Sequence, residues 1–375
     1  MLSCELQCLS STEHLEQLYT GFGLLARKRL ISLRVRRAAE YSSRPYSTPL
    51  LHADVRGESV PGGGLRLTFD LEDHGSLPPA ARVEGTDFLF KRTYDPSVVS
   101  AGRTSYRTLP LGLNYSVMDS EGFGLRRALW ARNPRDFATM IVRHSRWLSR
   151  AIPLQQSIAA CSARRFEGVP RLDVVPRVLL MARVWDPDRT PAFKAERLEI
   201  NSMRAECVRH LRNAFPSLFW GGLARDPHAM RHYRDCVVPN DHVSHKHAYV
   251  ELMHQSSICV ATAGLRGSIG WKFAEYVAGA KAIVTETTNV RIPGTFGPPT
   301  NCLVFRNPQD CVECVGTLVD SPGRRLEMMR ANAAYYHAFV RPDALVWNAL
   351  TTALLSASQE ASAADLPLRG LTAAG

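Results

Sequence analysis

The chain has 375 residues, 45% of them hydrophobic and 22% charged, the balance of a globular protein long enough for two domains. No apolar run approaches the roughly 18 residues of a bilayer span, and the opening MLSCELQCLSSTEHLEQL has neither the basic nor the apolar region of a secretory signal, so a cytoplasmic location is expected. The formal net charge of +11 comes mostly from arginine and suits an acidic partner, but no zinc finger, RNP-like aromatic motif or helix-turn-helix accompanies it, which argues against nucleic acid.

Residues 1–45 read as an amino-terminal extension, with a helix over Glu13–Leu25 and a basic run, Arg27 to Arg37, whose alternation with Leu, Ile and Val fits a strand or an amphipathic helix. That run is either a solvated basic face or a contact for an anionic membrane surface. Over 46–123, short apolar runs (Leu50–Val55, Leu65–Leu71, Asp87–Phe90, Thr108–Leu113) separated by turn residues predict the strands of an incomplete α/β domain.

The run Asp70-Leu71-Glu72-Asp73-His74-Gly75 follows the second of these strands. The carboxyl end of a strand is where an α/β domain places chemistry, and an Asp-His neighbour pair suits a general base, so Asp73 and His74 are the candidates; a helix cap with an exposed histidine fits the same run. Residues 124–170 are helical in pattern and rich in Arg and Trp, and read as a joining region.

A second α/β domain is predicted over 171–355. Arg177–Arg183 is a strand ending in a cation, Asn201–Phe215 a helix, Leu218–Trp220 a strand and Lys246–His254 a helix. The intervening histidines (228, 232, 242, 245, 247) match no tight metal-binding pattern. Nine cysteines in no paired framework suit a reducing compartment, and the Cys311-x-x-Cys314 pair sits in a helical pattern as buried thiols. A strand at Cys302–Phe305, a helix at Pro308–Val319 and a long helical stretch, Arg324–Leu354, follow; 356–375 reads as a disordered tail.

The most informative stretch is Ser257 to Glu286. Its order is strand, glycine-rich loop (Gly264, Gly267), helix, strand. Ile269, Phe273, Tyr276 and Val277 share one helix stripe, with Ser268, Lys272 and Glu275 on its flank. Ser268 reads as the N-cap and Gly279 as the C′ stop. A helix starting at the carboxyl end of a parallel strand can hold an anion on its free N–H groups. Lys272 with Glu275 would suit phosphates and ribose hydroxyls respectively, or form a surface pair three residues apart.

The Lys272-Phe273-Ala274-Glu275 run, continuing through Tyr276 to Gly279 and then an apolar strand, resembles the donor-binding segment of GT-B glycosyltransferases, most closely the bacterial spore-protein and capsule type. Pro110-Leu111-Gly112-Leu113-Asn114 resembles the turn closing their amino-terminal domain. Val178 to Arg183 resembles the hydrophobic-Gly-Arg entry to their donor domain, with Ala182 in the glycine's place. Gly267 stands where many retaining members carry a first glutamate. The resemblance runs from about Leu65 to Leu354.

It implies an α/β protein of GT-B architecture, two Rossmann-like domains facing a cleft, the amino-terminal one reduced. It implies a nucleotide-sugar donor held by Arg183, Gly264, Ser268, Lys272 and Glu275 without a metal or other cofactor, and a glycan or lipid-linked acceptor deprotonated by Asp73 or His74. The absent first glutamate and short amino-terminal half also admit a catalytically inactive binding protein of the same fold.

Overall fold

In the computed structural model, residues 1–10, 12–42, 49–102, 104–118, 134, 137–138, 141–142, 161–173 and 175–364 are described. The predicted joining region 124–170 therefore lies mostly outside the described residues.

Two sheets organise the chain. The first comprises β1 (Leu2–Ser10), β2 (Ile31–Ser42), β3 (Leu50–Arg56), β4 (Leu65–Asp70), β5 (Phe88–Lys91) and β6 (Arg107–Pro110), in the order β2-β1-β3-β4-β5-β6. Strand β3 is antiparallel to both neighbours and every other pairing is parallel. Helix α1 (Glu16–Arg27) follows β1, and the short α2 (Pro96–Ala101) follows β5.

The opening residues are not an extension of this domain. Leu2, Cys4, Leu6 and Cys8 alternate into its core, the period of a half-buried strand, and β1 lies between β2 and β3. The basic run is the edge strand β2, where Arg36 Nε lies 2.8 Å from Glu5 on the neighbouring strand. Charged side chains on an edge also discourage pairing with another chain.

The second domain contains α3 (Ala163–Phe166), β7 (Val178–Ala182), α4 (Lys194–Ala214), β8 (Phe219–Leu223), α5 (Pro227–His232), α6 (Lys246–His254), β9 (Ile258–Ala261), α7 (Trp271–Ala278), β10 (Ala282–Glu286), β11 (Leu303–Phe305), α8 (Pro308–Asp320) and α9 (Pro322–Tyr335). Its sheet is parallel throughout, in the order β11-β10-β9-β7-β8. Counted along the chain that order is 2-1-3-4-5, so the winding reverses between β7 and β9 and leaves a crevice there. Leu179, Met181, Cys259 and Ile283 enter one core, while Val178, Leu180, Ile258, Val260 and Val284 enter the other. Burial on both faces is why these strands are unbroken apolar runs rather than alternating ones.

Helix α7 differs from its expected ends. It starts at Trp271 with Gly270 as its N-cap, so Ser268 precedes the cap. At the other end the left-handed residue is Ala280 (φ 51°), not Gly279 (φ −76°). The Lys281 and Ala280 amides donate to the Tyr276 and Val277 carbonyls at 3.0 and 3.1 Å, closing a Schellman turn around alanine. Gly279 is small for a different reason: a Cβ there would lie 3.1 Å from Met253 Cε and 3.3 Å from the Glu275 carbonyl oxygen.

The chain then returns to the first domain. The helical stretch expected over Arg324–Leu354 is broken by a π-turn, Tyr336–Val340, before α10 (Pro342–Ala364), because Pro342 cannot donate a helical hydrogen bond. Helix α10 packs on α1, adding Leu345, Val346, Leu350 and Ala353 to the first domain's core. It also continues through Ser356, where a disordered tail was expected, to Ala364; residues 365–375 lie outside the described residues. Among the described residues no helix is long and apolar enough to cross a membrane.

Candidate functional site

A cavity of about 820 Å³ opens at the carboxyl ends of β7, β9 and β10. This is the crevice that the strand order leaves open, the usual ligand position in an open α/β sheet. Its wall includes the first turn of α7 (Gly270, Trp271, Lys272), where no side chain caps the helix. The backbone N–H groups there are therefore available to an anion.

Of the residues singled out in the sequence, Arg183, Ser268, Lys272 and Glu275 line this cavity together. Gly264 shapes the loop behind it. Its amide donates to the Ser268 carbonyl at 2.8 Å, and a Cβ at 264 would lie 2.5 Å from Ser268 Oγ. Asp73 and His74 are not on the wall.

Five basic side chains (Arg183, Arg204, Lys246, Lys272, Arg291) and two carboxylates (Glu275, Glu286) line the cavity, and several of them are already matched. Lys246 Nζ donates to Glu275 Oε1 in a close ion pair with side chains only 7% and 1% exposed. Arg204 is also buried. Its guanidinium donates to the Arg183 carbonyl at 2.6 Å, the Ala263 carbonyl at 2.7 Å and Thr262 Oγ1 at 3.0 Å. The Ala263 amide in turn donates to Glu286 Oε2 at 2.8 Å. Arg204 and Glu286 thus fasten the loops leaving β7 and β9, and fix the two sides of the crevice. Burial pulls the Arg204 guanidinium down to about 10, with Glu286 opposing.

Lys272 is left without a hydrogen bond or ion pair among the described residues; its ammonium lies 4.5 Å from the centre of the Tyr249 ring. Burial lowers its pKa to about 8, Glu275 opposes this, and Lys246, Arg183 and Arg204 reinforce it. Glu275 moves the other way. Burial pushes its carboxyl up, but Lys246, Lys272 and the nearby Tyr249 hydroxyl outweigh that and hold it below the ordinary carboxylate range. Four polar atoms on the cavity wall are buried with no hydrogen-bond partner among the described residues: Trp185 Nε1, Tyr249 OH, Trp271 Nε1 and Glu275 Oε2. Such atoms are costly to bury, and together they offer donors and a charged acceptor to a polyhydroxylated ligand.

The amino-terminal domain meets the cavity's edge. Arg92 donates to Asp73 and, at 2.7 Å, to the Ile269 carbonyl just before α7. The His14 ring lies edge-on to Trp271 with centroids 4.9 Å apart, and the Arg291 amide donates to the Tyr94 carbonyl at 2.9 Å. Burial pushes the Asp73 carboxyl up, but Arg92 more than offsets it and the carboxyl is lowered overall, which makes it a weak proton acceptor. His74 Nδ1 is 2.5 Å from Ser76 Oγ, and its Nε2 lies 3.7 Å from Glu72. The carboxylate beside this histidine is thus Glu72 rather than Asp73. Burial and Asp70 raise the Glu72 pKa.

Sequence reasoning passed over Lys246, Tyr249, Arg204, Glu286, Arg291 and His14. Lys246 and Tyr249 stand one turn apart on α6, and their spacing was the available signal. Arg204 looked like one more polar residue of a long helix. The histidines His228 and His232 do stack, with centroids 4.5 Å apart, but among the described residues no three His, Cys, Asp or Glu side chains converge to hold a metal. All nine cysteines are free, and only Cys314 is not buried.

Residues 204–345 match the model of the family described as glycosyl transferase-like. No curated protein matches the chain. Among solved structures, the chain is similar to WaaG, a glycosyltransferase involved in lipopolysaccharide biosynthesis, at 9% identity over 92% of this chain and 98% of that one, TM-score 0.43. It is similar to sucrose-phosphate synthase from Thermosynechococcus elongatus at 10% identity over 95% and 99%, TM-score 0.40. It is also similar to S. aureus MnaA, solved with UDP, at 10% identity over 89% and 91%, TM-score 0.37. Residues 204–345 are thus similar to the glycosyl transferase-like family, and they lie within a chain built on two α/β sheets.

Proposed function

We propose that the protein is a glycosyltransferase that takes a sugar from a nucleoside diphosphate and passes it to a hydroxyl of a glycan or lipid-linked acceptor. The observation that carries this reading is the unpaired Lys272 ammonium at the uncapped start of α7, on the wall of a cavity at the β7/β9 crevice. As the sugar leaves, negative charge grows on the diphosphate. Lys272, Arg183 and the α7 amides are placed to receive it, and preorganised cations and dipoles of this kind do the work that a metal does elsewhere, so no metal is required.

Glu275 Oε2, Tyr249 and the two indole N–H groups then meet the ribose and sugar hydroxyls. The acceptor side is assigned to the amino-terminal domain. There His74, flanked by Glu72, is the acceptor base, and Asp73 holds Arg92 against the domain boundary. An anionic membrane surface carrying a lipid-linked acceptor would suit the basic edge strand β2.

The test is thermal stability of the purified protein against a panel of nucleoside diphosphates and nucleotide sugars, followed by turnover with the ligand that binds. A selective rise in melting temperature, lost in Lys272→Ala, is the expected result; a ligand at 100 times its Kd adds about 2.7 kcal/mol. A cooperative melt unmoved by every nucleotide would sink the reading. Selective binding with neither transfer to an acceptor hydroxyl nor hydrolysis by water would identify a non-catalytic binding protein instead.

A further inference from the structure

Lys272 and Glu275 stand three residues apart on one helix, the spacing at which opposite charges pair, yet no hydrogen bond or ion pair joins them. Glu275 instead gives Oε1 to Lys246, from the first turn of α6 and 29 residues earlier in the chain. Lys246 is itself held in place: its ammonium lies 4.9 Å from the centre of the Phe166 ring and 5.8 Å from that of Tyr249. The Tyr249 ring also carries Lys272 at 4.5 Å. One aromatic side chain thus contacts both ammonium groups, and the single carboxylate between them is committed to Lys246.

We infer that Lys246 is a positioning residue that keeps Glu275 from pairing with Lys272, and so leaves the Lys272 ammonium free for a diphosphate, a role that rests on the donor site proposed above. One buried carboxylate can neutralise one ammonium. With Lys246 in that place, the surplus positive charge sits on Lys272, at the uncapped start of α7. The same contact leaves Glu275 Oε2 without a partner while keeping the carboxylate ionised. The charged and titratable groups around Lys272 are Glu275 on its own helix, Lys246 and Tyr249 on α6, Arg183 after β7 and Arg204 on α4. Among these only Glu275 is an anion that attracts the ammonium, so the sharing of Glu275 sets how much of the Lys272 charge remains available.

The proposal separates from a purely structural role through the titration of Lys272. The side-chain signal of Lys272, assigned by its loss in Lys272→Arg, is followed against pH without ligand in lysine-labelled protein. The series is wild type, Lys246→Arg, Lys246→Met and Lys246→Met/Glu275→Gln. In Lys246→Met, Glu275 is released to Lys272 and the Lys246 repulsion is gone. The midpoint should rise by about one unit, a tenfold gain in proton affinity. It should fall back in the double variant and stay near wild type in Lys246→Arg. An unmoved midpoint in a Lys246→Met protein that retains the wild-type circular dichroism overturns the proposal.

Inorganic pyrophosphate, which has no ribose for Glu275 to grip, is the binding probe. Its affinity at neutral pH should drop about tenfold in Lys246→Met, as expected for one charge-assisted contact, and recover in the double variant. Equal loss in the single and double variants also overturns the positioning role. If wild type binds no pyrophosphate while the Lys272 midpoint moves as expected, the pairing stands and the donor site is what fails.

Discussion

Lys91 Nζ donates to Asp70 Oδ2 at 2.7 Å, with the two side chains 0% and 1% exposed, across the paired ends of β5 and β4. Asp70 Oδ1 also accepts the Glu72 amide at 2.9 Å, so the pair fixes the first bend of the loop that holds Asp73 and His74. Removing one partner strands the other charge in the core, and Asp70→Ala or Lys91→Met should each destabilise the protein by about 3–5 kcal/mol. Replacing both, as Asp70→Leu/Lys91→Met, should recover much of that loss. Chemical denaturation of the three variants checks this, and additive losses in the double variant would show that the ion pair is not the reason.

Nucleotide affinity and folding stability should respond oppositely to alkali. At the donor site proposed above the charged form of Lys272 would meet the phosphates, so affinity for a nucleoside diphosphate should fall as pH rises through about 8. For stability the sign reverses. The Lys272 pKa is about 8 in the folded protein against an ordinary 10.5, so between those values the unfolded chain binds more protons and this residue's contribution to stability grows with pH. Calorimetric titration and denaturation over that range, in wild type and Lys272→Met, measure the two trends; the variant should lose both.

Gly21 is where α1 and α10 touch. A Cβ there would lie 2.1 Å from the Pro342 carbonyl oxygen and 2.6 Å from a Val346 methyl. Backbone cannot yield as a flexible side chain does, so Gly21→Ala should cost about 3 kcal/mol and lower the melting temperature of the first domain. Gly23→Ala, whose Cβ would meet nothing within 4 Å, should be neutral or slightly stabilising, since alanine favours a helix by about 1 kcal/mol. A similar melt for both variants would contradict the packing described.

Thiol reactivity should be confined to one residue. Burial pushes the Cys4, Cys259 and Cys302 thiols up to about 12, and a buried thiol of high pKa is a poor nucleophile. Alkylation of native protein at neutral pH should label Cys314 alone, and slowly, because burial raises its pKa too. Mass mapping of the labelled peptides reads this directly, and labelling at Cys207 or Cys311 before Cys314 would go against it.

The carboxyl-terminal sheet is legible in the sequence because strands buried on both faces must be continuous apolar runs, and Leu179, Ile258 and Ile283 stand in such runs. The Lys272–Glu275 helix is legible for the related reason that its stripe, Phe273, Tyr276 and Val277, is fully apolar. Lys246 is not legible, since the carboxylate that explains it lies 29 residues away and only the fold brings α6 against α7. The place of residues 1–45 is hidden as well. Pairing of β1 with β3 depends on contacts some fifty residues apart, and local pattern alone cannot tell a central strand from an appendage. The Ala280 turn goes unseen because sequence favours glycine at a left-handed position, and here Gly279 lies one residue too early.

The return of α10 to the first domain sets an order of events during synthesis. Leu345, Val346, Leu350 and Ala353 complete a core begun by Leu6, Leu18 and Phe22, more than three hundred positions earlier in translation. The amino-terminal sheet leaves the ribosome long before α10, and its apolar α1 surface stays uncovered until α10 follows, whereas most of the carboxyl-terminal domain's core can assemble from contiguous residues. A nascent chain of this protein therefore carries a sticky amino-terminal half for most of its elongation, and chaperone capture should concentrate there.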